Sequence, residues 1–112
     1  MLDPVAASLE RYMDLLAARQ KLVASNIANA ETPGYRTVDL DFEREFRSMA
    51  RDAEPRPVEV SGLQVNHDAN NVSLDREARL LAENALRFNV AASLMKAQLQ
   101  AVREAITGGG NG

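Results

Sequence analysis

The only histidine, His67, stands beside Asp68, and a His–Asp pair is half of a metal-binding set. Even a catalytic zinc site takes three protein ligands. No further ligand clusters with this pair, and the chain has no cysteine. The reading is a solvated loop histidine. A second group, Asp39, Asp41, Glu43 and Glu45, crowds four carboxylates together, as acid–base chemistry would require. Arg44 and Arg47 are interleaved with them, which makes surface ion pairing the better account. A Gly-rich phosphate loop, a nucleophile elbow and an HExxH sequence are all missing. Residue type and spacing therefore assign no catalytic, cofactor-binding or metal-ligating residue, and an enzyme is not expected.

Composition points elsewhere. The 112 residues suit one small domain, and 46% are apolar, much of that alanine, with only 4% aromatic. Alanine favours helix but buries little area, so a conventional core would be thin and a partner would be needed. The net charge of −3 comes from interspersed acids and bases, with no basic block to track a phosphate backbone, so no nucleic-acid partner is expected. The amino terminus opens with an acid and a proline and has no apolar h-region, so no cleavable secretory signal is expected. No stretch reaches the roughly 18 apolar residues of a membrane span, and direct membrane insertion is not expected.

Two long terminal helices dominate the pattern. Leu74, Ala78, Leu81, Ala85, Phe88, Ala92, Met95, Leu99, Val102 and Ile106 alternate by four and three, which places them along one seam as in a coiled coil. Asp75 or Ser73 caps the start, and Gly108–Gly110 predict an end near Thr107. At the front, Asp3-Pro4 is a helix start. Leu2, Val5, Leu9, Tyr12, Leu16, Val23 and Ala30 follow a matching seam that Arg19 and Asn26 interrupt. Leu15, Leu22 and Ile27 fall outside it as a second apolar line. The expected fold is mainly α, an antiparallel hairpin of the two helices with a loop-rich middle. That middle holds a type II turn at Thr32-Pro33-Gly34-Tyr35 and a short helix over 39–51. It continues with an extended connector at Pro55-Arg56-Pro57 and a short β-hairpin around Ser61-Gly62 built from Val58, Val60, Leu63 and Val65. A polar turn over Asp68–Asn71 precedes the last helix.

Residues 25–35, SNIANAETPGY, resemble the amino-terminal signature of flagellar rod, hook and hook-associated proteins. Ser25, Asn26, Ile27, Ala28, Asn29, Thr32, Pro33, Gly34 and Tyr35 all match it, and Glu31 stands where Asn or Asp is more usual. The segment from Asn70 to Asn89 is similar to the carboxy-terminal part of proximal-type rod proteins, with Ala78 in place of a methionine. The resemblance implies a structural subunit of the flagellar basal-body rod that transmits torque from ring to hook and lines the export channel. Implied partners are further copies of itself, other rod subunits, the adaptor joining rod to ring and the type III export apparatus. The implied place is the rod, on the periplasmic side, reached without signal cleavage. Residues 1–31 and 73–107 would form one discontinuous rod-core domain, 32–72 a turn and extended segment, and 108–112 a flexible tail. Phe42 and Phe46 resemble a short export-gate element, with packing of the short helix as the competing reading. Asn26 and Asn29 read either as functional contacts or as local caps of the turn. A soluble helical adaptor or secretion chaperone is the alternative function; it explains the heptads but not the SNIANAETPGY turn.

Overall fold

The computed structural model describes residues 3–48 and 54–110. In chain order these form α1 (Pro4–Ala28), β1 (Val38–Leu40), α2 (Phe42–Ser48), β2 (Pro57–Glu59) and α3 (Leu74–Gly110). Asp3 caps α1, its carboxylate accepting from the Val5 and Ala6 amides at 3.0 and 3.2 Å, with Pro4 in the first turn. Asp41 caps α2 through the Arg44 amide. Of the two caps open for α3, Ser73 is the one used: its hydroxyl accepts from the Arg76 amide at 3.2 Å. The short helix spans Phe42–Ser48 rather than 39–51, since 39 and 40 belong to β1; residues 49–51, like Leu2, lie outside the described residues. At its far end α3 runs to Gly110, beyond the expected stop at Thr107. Each glycine there costs about 1 kcal/mol relative to alanine, which weakens the last turn without forbidding it.

The two long helices lie antiparallel, and side-chain bonds fix the register. Asp3 meets Gln98 at 3.1 Å, Tyr12 meets Arg87 at 3.3 Å, Gln20 meets Asn84 at 3.0 Å and Asn26 meets Glu77 at 2.8 Å. Residue numbers rise along one helix as they fall along the other. The molecule is accordingly elongated, 70 × 25 × 19 Å. Because α1 starts opposite Gln98, the last twelve residues of α3 (99–110) project past it by roughly 18 Å at 1.5 Å per residue.

The face of α3 turned to α1 is not the apolar seam that the heptads suggest. Glu77, Asn84 and Ala91 are the residues buried there. In the predicted row, by contrast, Leu74 is 57% exposed, Phe88 38% and Ile106 72%, while Met95 and Val102 are half-buried. The cause is geometric. The contact line Glu77–Asn84–Ala91–Gln98 keeps a seven-residue spacing of its own, and the predicted row Leu74–Leu81–Phe88–Met95 lies three residues away, about 60° round the helix to one side of it. Beyond Gln98 there is no α1 left to cover it. On α1 the expected row fares better: Leu16 and Val23 are buried and Leu9 and Tyr12 half-buried, but Val5 is exposed. Leu15, outside the stripe, is fully buried.

The sheet has different partners from those expected. β2 pairs antiparallel with β1, in the register Val38↔Glu59, Asp39↔Val58 and Leu40↔Pro57, and residues 63–66 form no strand. The hairpin around Ser61-Gly62 is replaced by a bend with Gly62 at φ +80°. Pairing with Val38–Leu40 offers what a local hairpin lacks, because β1 is already anchored to α1.

Ala69 holds a left-handed φ of +67° inside the turn closed by Asn66 and Asn70. For a residue with a Cβ this costs about 1–2 kcal/mol. Ala69→Gly is expected to raise unfolding stability by about 0.5–1 kcal/mol, the relieved strain exceeding the added chain entropy. Urea denaturation of the two proteins checks the sign.

Candidate functional site

The SNIANAETPGY segment ends α1 and turns the chain back onto it. Tyr35 N–H donates to Thr32 O at 3.2 Å, and Gly34 has φ +76°, as a type II turn requires. The two conspicuous asparagines divide the work. Asn29 is the local cap: it ends α1, its amide NH₂ donates to Ser25 O at 2.8 Å, and its side-chain oxygen accepts from the Thr32 hydroxyl at 3.0 Å. Asn26 reaches across the molecule. Its NH₂ donates to Val38 O and to Glu77 Oε1, both at 2.8 Å; its Oδ1 accepts from the Tyr35 hydroxyl at 2.9 Å and from Val38 N–H at 3.2 Å. The side chain is fully satisfied although buried. Towards Val38 it acts as a strand neighbour would, completing the free edge of β1.

From Glu77 the network continues as ion pairs. Arg76 donates to Glu77 Oε2 and to Asp39 Oδ2, each at 2.7 Å. Arg19 forks onto Asp39 from α1, at 2.9 and 3.1 Å. Two guanidinium groups and two carboxylates thus neutralise one another between α1, β1 and α3. Burial alone would push the Asp39 carboxyl up; the Arg19 hydrogen bonds, the Leu40 amide and Arg76 outweigh it and hold the group below its ordinary value. For Arg76 burial works against the charge, and Glu77 and Asp39 overcome it, raising the pKa further.

A second set of pins fastens the segment before α3. Asn70 is buried, its NH₂ donating to Asn29 O at 2.9 Å and Thr32 O at 2.7 Å. Gly34 N–H donates to Asp68 O, and the Asn71 side chain accepts from Thr37 N–H at 2.7 Å. The expected polar turn over 68–71 is thus a clasp holding the motif.

The acidic cluster also needs correcting. Only Glu43, paired with Arg47, is an exposed i,i+4 surface pair. Asp39 and Glu45 are buried, and their partners are Arg19 and Arg76 for the one, Arg11 and Arg44 for the other. Phe42 and Phe46 of α2 both meet the Tyr12 ring edge-on, at centroid distances of 5.4 and 6.0 Å, while Arg19 lies 5.5 Å above the Phe42 ring. His67 is exposed in its turn. Among the described residues no three metal-ligating side chains are grouped to hold an ion. None of the helices described is long and apolar enough to cross a membrane.

The remaining motif residues, Ser25, Ile27, Ala28, Thr32, Pro33 and Gly34, face outward. Along α3 the rows Leu74–Leu81–Phe88–Leu99–Ile106 and Leu86–Val90–Leu94 are exposed as well. What pattern reading missed was the network itself: Arg19, Thr37, Asp39, Asn70, Asn71, Arg76, Glu77 and Asn84. The trace it left in the sequence was the pair of interruptions, Arg19 and Asn26, in an otherwise apolar row.

With Leu15, Leu16, Val23 and Ala91 buried beside a polar network and apolar rows left exposed on α3, this is an elongated helical hairpin. A family model described as "Flagella basal body rod protein" matches residues 13–36, the second half of α1 and the turn. The flagellar basal body rod protein FlgB of Salmonella typhimurium (strain LT2) is 30% identical, in an alignment covering 97% of this chain and 99% of that protein. FlgB of Escherichia coli (strain K12) has the same identity and coverage, and FlgB of Bacillus subtilis (strain 168) is 25% identical over 91% of this chain and 92% of its own. The chain belongs to the flagellar basal body rod protein family, of the FlgB type.

Asn26→Ala strands Val38 N–H and Val38 O, leaves the Tyr35 hydroxyl only its 3.4 Å approach to the Ser25 hydroxyl and removes a partner of buried Glu77. It is expected to cost about 2–4 kcal/mol, measured by urea denaturation. The network also sets an acid limit. Because the folded-state pKa of Asp39 lies below its ordinary 3.8, its contribution is complete above that value and disappears as pH falls through the folded-state value. The stability gap between the wild-type chain and Asp39→Asn is therefore expected to be widest near neutrality and to narrow below about pH 4.

Proposed function

We propose that the chain is a structural subunit of the flagellar basal-body rod whose work is done by its surfaces, as part of a shaft that carries torque from ring to hook and surrounds the export path. The observation that carries this reading is the exposed row Leu74–Leu81–Phe88–Leu99–Ile106 on a helix whose inward face is already occupied. Complete burial of one such side chain is worth roughly 1.5–3 kcal/mol. Several per subunit, scaled by what is still exposed, supply a large association energy that the lone chain leaves unused. The large apolar side chains that the described chain buries by itself are few: Leu15, Leu16, Val23 and Leu40.

In this reading residues 1–31 and 73–107 act as one rod-core unit and 32–72 brace it. The partners are other rod subunits, further copies of the chain and the adaptor between rod and ring. Export through the type III apparatus to the periplasmic side, without signal cleavage, belongs to the same proposal. Phe42 and Phe46 would serve it only if they leave Tyr12, since their packing there accounts for both rings. The role is mechanical rather than enzymatic, in keeping with ionisable groups in the network that are bound to one another.

Complementation of a strain lacking the gene tests the reading. Leu74→Glu and Leu99→Glu lie away from the intramolecular contact, so the circular dichroism and urea midpoint of the purified chain should stay close to wild type. Swimming should nevertheless be lost and the rod remain incomplete. Full motility with both substitutions would contradict the proposal.

A further inference from the structure

Beside the α1–α3 contact runs an apolar groove of about 370 Å³, walled by Leu9 and Tyr12 on one side and Leu86, Val90 and Leu94 on the other, with Ala91 as its buried floor. Charge enters at one end only, where Glu83 and Arg87 are paired at 2.7 Å. From Leu86 to Leu94 the groove is roughly 12 Å long. The projecting end of α3 carries Leu99, Val102 and Ile106 at three- and four-residue spacing, an apolar ridge of roughly 10 Å. Leu99 and Ile106 are 48% and 72% exposed. Ridge and groove thus agree in length and in chemistry.

They cannot meet within one chain, because both lie on the same continuous helix. We propose, resting on the assembly reading above, that the projecting end of α3 seats in the Leu86–Val90–Leu94 groove of a second copy of this chain. A contact between two different patches is head-to-tail: each copy that donates its ridge still has a groove to offer, so the contact propagates instead of closing as a dimer. It is also small beside the roughly 800 Å² per partner of a stable complex. A single contact is accordingly weak, and an array is needed to hold it.

The chain has no cysteine, so single cysteines report cleanly. Val90→Cys and Ile106→Cys chains, mixed at high concentration with a short bismaleimide linker, are expected to give a mixed dimer several-fold more abundant than Val90→Cys with the exposed control Arg79→Cys. Val90–Val90 and Ile106–Ile106 links should stay at the control level. A mixed yield no higher than the control, or a dominant Val90–Val90 link, overturns the proposal. The motility of Leu86→Glu and Ile106→Glu strains then tells which reading has failed. If cross-linking is absent and both strains are immotile, the groove takes a different subunit and the rod assignment stands. If both swim normally, the assembly reading falls with the second-copy contact.

Discussion

Asn26 lies where α1, β1 and α3 converge, closed off from solvent, so the chain itself must satisfy both its donors and its acceptor oxygen. Val38, Tyr35 and Glu77 do so, and each belongs to a different part of the fold. Through Glu77 the amide is tied to Arg76, Asp39 and Arg19, a set whose charges cancel. Removing any member would leave a buried charge or dipole unmatched, which costs more than the interaction contributes when complete. The helical hairpin, the small sheet and the motif turn are consequently held as one unit by polar contacts.

The α3 side of this contact departs from the usual division between inside and outside. In most amphipathic hairpins the apolar stripes face each other. Here Glu77, Asn84 and Gln98 occupy positions along the α1-facing side of α3, and leucines and Phe88 lie to the flanks. Buried polar groups contribute less net stability than an apolar seam of the same size, but they are demanding about register. Asn84 illustrates the point: its NH₂ meets Leu16 O and Gln20 Oε1, while its own oxygen has no partner among the described residues. A sliding of α1 along α3 would break all these bonds together. Apolar rows accept many registers, and on α3 they face outward.

Much of the fold was legible in the sequence. Asp3-Pro4 and the long apolar periodicities set out both helices, and Thr32-Pro33-Gly34-Tyr35 announced its own turn through the torsions that Pro and Gly impose. The motif gave the family. What could not be read was which face of α3 meets α1, because apolar spacing finds the greasiest row and this contact is polar. Likewise, Asp39 and Glu45 looked like surface acids because their cations, Arg19, Arg76 and Arg11, are distant in sequence. β1 was hidden for a related reason: its anchoring to α1 comes from the Asn26 side chain, and its strand partner, β2, is remote in sequence.

The central claim is that the polar network sets the register of the subunit, while the apolar rows of α3 and its projecting end await neighbours. Amide hydrogen exchange on the isolated chain, read residue by residue, tests it most directly. A twelve-residue helical end without packing is marginal in water. Protection is therefore predicted to be strong around Asn26, Val38 and Glu77–Asn84 and to fall to nearly nothing from Leu99 to Thr107, returning there when the chain is incorporated into the rod. Uniform protection of α3 as far as Thr107 in the isolated chain, or rapid exchange around Asn26 and Glu77, would contradict the account.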